Sequence, residues 1–315
     1  MMFVTDQAGT LRNMASQMFL EKKGLGEEDM SAEMKQEHEA ETMDGVSPVQ
    51  VIAVGGGKGG VGKTNIAANM AIAFAQAGGR VLAVDADLGM ANLDLAFGVR
   101  PKASFWDLFQ GSASIDEVLT EVSDKVHLLP GCSGRYELAN MSDAQRYSLF
   151  SAIDTVEERF DTLILDIGAG IGANAVHFAG AAQKVVVVAS SEPTALADAY
   201  GFIKVLHSEC AIKQVFLVAN MVSSPAEGEE VYMKLASMLD RFLGVSLYYL
   251  GAVNRDNAVG RSVRTGVPVL VGKPEAAASQ CIVSISRRLA EADGDDTGAG
   301  GIRLFWKKLI GWKDS

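Results

Sequence analysis

The sequence predicts an α/β fold in which a mostly parallel sheet is flanked by helices on both faces. Short apolar runs rich in Val, Ile and Leu alternate with helical patterns, which is typical of successive βαβ units. Some of these runs, such as 184–189 and 162–166, are dense in Val, Ile and Leu, as in strands that are covered on both faces. A glycine-rich segment joins the first run to the helical pattern after it. The predicted strands are 49–54, 80–84, 126–129, 162–166, 184–189, 215–219 and 246–251.

The glycine-rich segment extends from Gly57 to Thr64 and fits the spacing G-x-x-x-x-G-K-[ST]. Its glycines allow backbone N–H groups to converge on phosphate oxygens, and the helix N-terminus that follows adds positive potential. In this pattern Lys63 reaches the β- and γ-phosphates, and the Thr64 hydroxyl binds Mg²⁺. A plain glycine turn is the alternative, but such a turn requires neither the Lys63 nor the Thr64 side chain. The segment predicts a P-loop NTPase whose loop binds the nucleotide through Gly57, Lys58, Gly59, Gly60, Val61, Gly62, Lys63, Thr64 and Asn65.

A second lysine, Lys58, lies five positions before Lys63. Two lysines on one short loop repel each other unless a polyphosphate lies between them or one of them points elsewhere. The run 58–64 resembles the deviant Walker A motif of the MinD/ParA family. That resemblance implies that Lys58 crosses a homodimer interface and touches the nucleotide of the partner, so that ATP binding is coupled to dimerisation. With Asp87, described next, the two lysines are the expected catalytic residues.

Carboxylates stand at the ends of two predicted strands. Asp85 and Asp87 follow 80–84, and Asp166 ends 162–166. A carboxylate at the end of a buried strand needs a cation, and Mg²⁺ bound through water is suited to this place. The family resemblance identifies Asp85 and Asp87 as switch I and Asp166 as part of switch II. It implies that Asp87 orients the attacking water, that Asp85 supports the outer shell of the metal, and that the metal residues are Thr64, Asp85 and Asp166. An acidic helix cap is the alternative for the first pair.

Two further residues are assigned through the same resemblance. Glu192 follows the strand 184–189 and is expected near the dimer interface, against the ribose of the partner's nucleotide. The alternative for Glu192 is a plain helix start capped by Thr194. Asn220 follows the strand 215–219, where family members hydrogen-bond the adenine amino group. Because the sequence has no N-K-x-D motif, guanine specificity is not supported and ATP is favoured.

The N-terminal residues 1–20 indicate a subfamily. They contain the sequence D-Q-A-x-x-L-R, which matches an element at the N-terminus of the FlhG family of MinD-like ATPases, the regulators of flagellar number and placement. In that family the element docks on FlhF, a signal-recognition-type GTPase, and stimulates its GTP hydrolysis. A leader with a chance match is the alternative. The resemblance implies an FlhF-like partner bound by Asp6, Gln7, Ala8, Leu11 and Arg12.

The segments around the ATPase domain, which is expected at 49–290, differ from it in composition. Residues 21–48 hold nine acidic and three basic residues, which favours an extended tether. Residues 291–301 form an acidic, glycine-rich linker. Residues 302–315 place an apolar stripe at helical spacing beside basic residues, which predicts an amphipathic helix that binds the inner membrane. A helix packed on its own domain is the alternative. The predicted membrane residues are Ile302, Phe305, Trp306, Leu309 and Ile310.

Composition limits the function classes. The chain has 315 residues and a net charge of −11, which argues against a main role in coating DNA, and no specific DNA binding is expected. Three scattered cysteines and the absence of a long apolar run indicate a cytoplasmic protein. With the predicted C-terminal helix, the expected location in the ATP state is peripheral on the inner membrane, and a polar position is one option. Two rival functions stay open. A division-site MinD explains the loop and the C-terminal helix but not residues 6–12, and a ParA-type DNA-segregation ATPase predicts basic surface patches.

Overall fold

The computed structural model of the protein describes residues 49–87, 90–131, 158–292 and residue 305. The predictions for the N-terminal element, for the acidic tether at 21–48 and for most of the C-terminal linker and helix lie outside these residues.

One sheet organises the described residues. Its eight strands have the order β3-β4-β2-β5-β1-β6-β7-β8. All neighbouring pairs are parallel except β3 and β4, which pair antiparallel at one edge. This confirms the predicted mostly parallel sheet. The strands are β1 Gln50–Gly55, β2 Val81–Ala86, β3 Thr120–Ser123, β4 Val126–Leu129, β5 Thr162–Ile167, β6 Lys184–Ala189, β7 Gln214–Val222 and β8 Ser246–Asn254.

Helices cover both faces of this sheet, as predicted. Because side chains alternate along a strand, Val51 and Ala53 of β1 join one apolar core, whereas Ile52 and Val54 join the other. Helices α3 to α7 pack into the first core, and α1, α2 and α8 to α10 pack into the second. The helices are α1 Lys63–Gln76, α2 Leu93–Phe97, α3 Phe105–Gln110, α4 Ile115–Val118, α5 Ala173–Ala181, α6 Pro193–Cys210, α7 Pro225–Phe242, α8 Asn257–Thr265, α9 Val269–Gly272 and α10 Ala277–Glu291.

Several strands extend further at their carboxyl ends than their apolar runs predict. Strands β2 and β7 continue through Asp85 and Asn220, so these residues lie within the sheet rather than after it, and β5 continues one residue past its predicted end at Asp166. The hydrophobic pattern stops at a polar residue, but the ladder of backbone hydrogen bonds continues past it. As a result Asp85 and Asp166 become direct neighbours on adjacent strands.

Three local features were not predicted. The short polar strand β3 was missed, because its alternation over four residues is too brief to recognise. The last helix begins only at Ala277, since a residue before a proline disfavours the helical conformation and Pro274 follows Lys273. Helix α6 begins at Pro193 with Glu192 at its N-cap position, so Thr194 lies inside the helix and is not its cap.

Candidate nucleotide-binding site

The glycine-rich loop leaves β1, which lies between β5 and β6 in the middle of the sheet, and leads directly into α1. Its backbone is held close to two other elements. A Cβ atom on Gly57 would lie 2.8 Å from the Cα atom of Asp198 in α6, and closer still to the carbonyl group of that residue. Gly62 has a φ angle of 89° and abuts the Asn220 side chain of β7. Only glycine therefore fits at these two positions.

The two lysines of the loop point apart. Lys63 is buried, and its ammonium donates to the backbone carbonyl of Lys58 at 3.1 Å. Lys58 is partly exposed, and its ammonium contacts the Glu192 carboxylate at 2.5 Å and donates to the Thr194 hydroxyl at 2.9 Å. Of the two ways to relieve lysine repulsion that the sequence allows, this conformation uses the second, in which one lysine points elsewhere.

The electrostatic environment of each lysine differs. Burial lowers the pKa of Lys63, while the charges of Asp166 and Asp87 oppose that shift. The neighbouring Lys58 lowers the pKa of Glu192, which favours the ionised carboxylate. A charged Glu192 at the start of α6 therefore holds Lys58 within its own protomer. The expected contact of Lys58 with a partner's nucleotide requires this ion pair to open, and both the Lys58 and Glu192 roles at an interface stay predictions.

Asp166 is the most buried carboxylate of the site. Its Oδ1 atom has no hydrogen-bond partner among the described residues, while the carboxylate accepts a hydrogen bond from the Thr64 hydroxyl. Burial raises the pKa of Asp166 to about 8, because nothing in this environment fully offsets the desolvation of its charge. A buried carboxylate oxygen without a partner, next to a hydroxyl, is suited to a hard cation such as Mg²⁺.

The described residues contain no cluster of three or more acidic, histidine or cysteine side chains arranged for a metal ion. Mg²⁺ in proteins usually takes one or two carboxylates and keeps several waters and substrate phosphates as its other ligands. Thr64 and Asp166 fit that description. Their assignment as metal residues stays a prediction.

Asp85 has a different set of contacts. Its carboxylate accepts hydrogen bonds from three backbone N–H groups, those of Asp87, Asn92 and Leu93, at 3.2, 2.8 and 2.9 Å. Burial raises the pKa of Asp85 to about 6, although these hydrogen bonds favour the charged form. Asp85 thus fastens the switch I loop to the start of α2. Its contacts at the start of α2 resemble the acidic helix cap that was the alternative for this residue, and the outer-shell role of Asp85 toward a metal stays a prediction.

The two switch loops meet in front of the P-loop. Asp87 accepts a hydrogen bond from the Met90 N–H at 3.0 Å, and a Cβ atom on Gly168 would lie 3.0 Å from its Oδ1 atom. The backbone N–H of Gly170 donates to the Gly56 carbonyl at 3.2 Å. Asp87 therefore lies next to the switch II loop, close to the position where the terminal phosphate of a nucleotide on the P-loop is expected. Its role in orienting water stays a prediction.

Asn220 lies on the opposite side of the P-loop. It is buried, and its carboxamide nitrogen donates to the Val61 carbonyl at 2.7 Å. With the nitrogen engaged in this way, the carboxamide oxygen is the atom that would accept the adenine amino group. The predicted base contact is compatible with this orientation and is not tested by it.

Asn69 is a further residue of the site that sequence analysis missed. It is fully buried in α1, where its carboxamide nitrogen donates to the Asn65 carbonyl at 2.7 Å and its oxygen accepts from the Leu270 N–H at 3.0 Å. These bonds tie the P-loop helix to α9. The available signal was a single amide side chain inside an otherwise apolar helical run.

The described residues contain one member of the predicted membrane helix, Phe305. Its side chain is 2 % exposed and lies in the core beside Phe178 of α5, with 6.4 Å between the ring centroids. Phe305 itself therefore packs on its own domain, as in the alternative interpretation. The other membrane residues and the N-terminal element lie outside the described residues. Within the described parts of the chain, no helix has both the length and the apolar character needed to cross a bilayer.

Comparison with known proteins decides the family. Residues 52–269 match the family model described as the CobQ/CobB/MinD/ParA nucleotide binding domain. The chain belongs to the MinD/ParA family. This confirms the family resemblance of the P-loop, and it identifies the sheet and its central loop as a nucleotide-binding domain.

The relatives of this MinD/ParA protein refine the assignment. The antiactivator FleN of Pseudomonas aeruginosa is 37 % identical over 268 residues, which cover 85 % of this chain and 96 % of FleN. The flagellum site-determining protein YlxH of Helicobacter pylori is 34 % identical and covers 85 % of this chain and 92 % of its own length. These matches confirm the expected FlhG type, to which FleN and YlxH correspond. The cell division ATPase MinD of Pyrococcus furiosus has the same fold, with a TM-score of 0.62, 26 % identity and coverage of 77 % of this chain and 98 % of its own.

Proposed function

We propose that this MinD-like protein is an Mg²⁺-dependent ATPase that dimerises with ATP and regulates flagellar number or placement. The observation that carries the enzymatic part is the buried Asp166 oxygen beside the Thr64 hydroxyl, at the start of the P-loop helix. The flagellar part is supported by the likeness to an antiactivator and to a flagellum site-determining protein over most of the chain.

Each residue of the site would have its own role in ATP hydrolysis. Thr64 and Asp166 would hold Mg²⁺, which when bound neutralises charge on the phosphates. The Lys63 ammonium lies in the same loop and would stabilise negative charge on the β- and γ-phosphates. Asp87 would accept a hydrogen bond from water and orient it for attack in line with the bond that breaks. Asn220 would select adenine through its carboxamide oxygen.

Dimerisation would bring a further positive charge, that of Lys58, to each nucleotide. Lys58 would leave Glu192 and Thr194 of its own protomer and reach the nucleotide of the partner, as the deviant Walker A motif implies. ATP would compensate the charge of Lys58 better than ADP, because its γ-phosphate adds negative charge at the interface. The dimer therefore forms in the ATP state, and hydrolysis returns Lys58 to Glu192.

Membrane association would follow from dimerisation. Phe305 is buried against α5, so its side chain has to leave the domain before it can reach lipid. Two released helices on one dimer bind an anionic surface far more tightly than one, because the second binding step is intramolecular. The protein would be cytoplasmic with ADP and peripheral on the inner membrane with ATP.

The partner of the N-terminal element would be an FlhF-like GTPase. The test is GTP turnover by purified FlhF with and without a peptide that spans residues 1–20, and with the same peptide carrying Gln7→Ala. Stimulation by the native peptide and not by the variant is the expected result. Equal turnover in all three mixtures would contradict the flagellar partner while leaving the ATPase site unaffected.

The enzymatic part has its own test. Purified full-length protein should hydrolyse ATP in the presence of Mg²⁺, Lys63→Ala should abolish nucleotide binding, and Asp87→Ala should bind ATP but lose hydrolysis. If Asp87→Ala turns over ATP at the wild-type rate, the switch I assignment is wrong.

A second candidate function is division-site selection. The fold likeness to the Pyrococcus furiosus cell division ATPase MinD favours it. The two candidates share the ATPase cycle and differ in the partner, so the FlhF experiment also separates them.

A further inference from the structure

One part of the surface exposes large apolar side chains outside the nucleotide site. Leu95 of α2, Val263 of α8, Val267 after it and Val271 of α9 are 67, 56, 38 and 55 % exposed. Isolated exposed side chains of this kind are ordinary, but a contiguous group marks an interaction site. The question is whether these four are contiguous.

Close contacts bring the elements that carry these side chains together. A Cβ atom on Gly266 would lie 3.1 Å from the Leu95 carbonyl oxygen and 3.2 Å from the Gly98 Cα atom, so α2 meets the end of α8. A Cβ atom on Gly272 would lie 3.4 Å from Val267 Cγ1, which brings α9 to the same place. Val263 lies on the last turn of α8, which ends at Thr265 just before Gly266. We call this surface the α8–α9 face and define it by Leu95, Val263, Val267 and Val271.

The α8–α9 face is bordered by positive charge. Arg261 and Arg264 flank Val263 on α8, and the exposed basic residues of the adjoining segments are Arg100, Lys102 and Lys273. Three acidic residues lie on the same segments, Asp94, Asp256 and Glu275, and they are fewer than the basic residues. Asp256 accepts from the N–H groups of Ala258 and Ala278, and Glu275 lies 3.7 Å from Lys273. In a chain with a net charge of −11 this is a local reversal of sign.

The face is held in place by buried hydrogen bonds. The Ser262 hydroxyl donates to the Val267 carbonyl and closes the turn after α8. The Leu270 N–H donates to Asn69 of α1 at 3.0 Å. Because α1 starts at Lys63, the same helix carries the P-loop and anchors α9. A surface that is already ordered loses little conformational entropy on binding, which favours its use as a docking site.

We propose that the α8–α9 face docks an acidic amphipathic helix of a partner protein. An apolar stripe on such a helix would cover the valines and Leu95, and carboxylates beside the stripe would meet the arginines at the rim. Charge complementarity selects this occupant over a basic or neutral helix, since either would leave the arginines unpaired. Such docking lies outside the flagellar and ATPase roles proposed above.

The test uses full-length protein and fluorescence anisotropy of a synthetic peptide of about 18 residues, with leucines along one helical face and glutamates elsewhere. One control peptide has the same composition with the leucines spread around the helix, and another has lysine in place of each glutamate. The expected result is binding of the acidic amphipathic peptide at least about tenfold tighter than either control, weakening as salt is raised. Equal binding of all three peptides would overturn the proposal.

Variants locate the binding. Val263→Asp combined with Val271→Asp, and separately Arg261→Glu combined with Arg264→Glu, should each weaken the acidic peptide by about tenfold or more. Matched controls on the exposed side of α7, Met233→Asp and Lys234→Glu, should leave it unchanged. Wild-type binding by both face variants, or equal weakening by the α7 controls, would overturn the assignment.

Two other occupants are distinguished by the same variants. If the Val263 and Val271 substitutions abolish self-association in sedimentation, the face is an interface between copies of this chain and the proposal fails. If vesicles of anionic phospholipid displace the acidic peptide, the face binds lipid and the proposal also fails.

Discussion

Replacing Gly57 with alanine tests how the P-loop is braced against α6. The added Cβ atom would lie 2.8 Å from the Asp198 Cα atom and closer to its carbonyl group, whereas ordinary contact begins at 3.4 Å. Both neighbours are backbone, so no flexible side chain can turn away. The loop and α6 must therefore separate by at least about 0.6 Å, which is the kind of backbone shift that overpacking forces.

This shift should lower both the free energy of unfolding and the rate of ATP turnover. Overpacking of a buried contact lowers the free energy of unfolding by about 1–3 kcal/mol, which is a fall in Tm of several degrees for a domain of this size. Displacement of the loop also moves the groups that bind phosphate, and a misplacement on the order of 1 Å lowers turnover by roughly 100-fold. We expect Gly57→Ala to fold, to melt lower than the wild type and to lose most of its ATP turnover.

The control is Gly201→Ala, on the same helix α6. A Cβ atom there meets nothing within 4 Å, and alanine favours a helix interior over glycine by about 0.5–1 kcal/mol. This variant should melt at or slightly above the wild-type temperature with normal turnover. Wild-type turnover and Tm for Gly57→Ala would refute the close contact between the loop and α6.

Three further predictions follow from buried or charged contacts of the site. Asn69→Ala leaves the buried N–H of Leu270 without its partner, so urea unfolding should show a loss of about 1–3 kcal/mol, and an unchanged midpoint would contradict that hydrogen bond. Burial raises the pKa of Asp166 to about 8 from 3.8, so the folded, metal-free protein holds a proton that the unfolded chain has lost. Its free energy of unfolding in EDTA should therefore fall as pH rises from about 5 to 8, with at most about 1.4 kcal/mol per unit from Asp166 itself, and Asp166→Asn should reduce this slope. Thr194→Val removes the hydroxyl that accepts from Lys58, so ATP-driven dimers should form at lower protein concentration in sedimentation; an unchanged dimerisation constant would show that this contact does not oppose dimerisation.

The sheet and its two helical layers could be predicted from the sequence because burial on both faces leaves apolar runs of strand length. The P-loop could also be predicted, since its lysine, hydroxyl and glycines are adjacent in sequence and their geometry is local. The carboxyl ends of the strands were harder to predict from the sequence. At Asp85, Asp166 and Asn220 the backbone ladder continues while the hydrophobic signal has stopped, so polarity was taken for the end of the strand.

Most of the features that the sequence did not predict depend on contacts between segments that are distant in the chain. Repulsion between Lys58 and Lys63 indicates that one of them needs another partner, but that partner is Glu192, 134 positions along the chain, and only the fold brings it to the loop. The three N–H groups on Asp85 likewise depend on how the switch I loop returns to α2. A carboxylate that looked like a metal residue thus proved to be a fastening point for the loop, whatever else it does.

The most direct test of the central claim is sedimentation velocity of the full-length protein with ADP and with a slowly hydrolysed ATP analogue, each with Mg²⁺. The account predicts a monomer with ADP, a dimer with the ATP analogue, and a monomer in both cases for Lys58→Ala and for Lys63→Ala. A wild-type protein that stays monomeric with the ATP analogue, or a Lys58→Ala variant that dimerises as readily as the wild type, would contradict it.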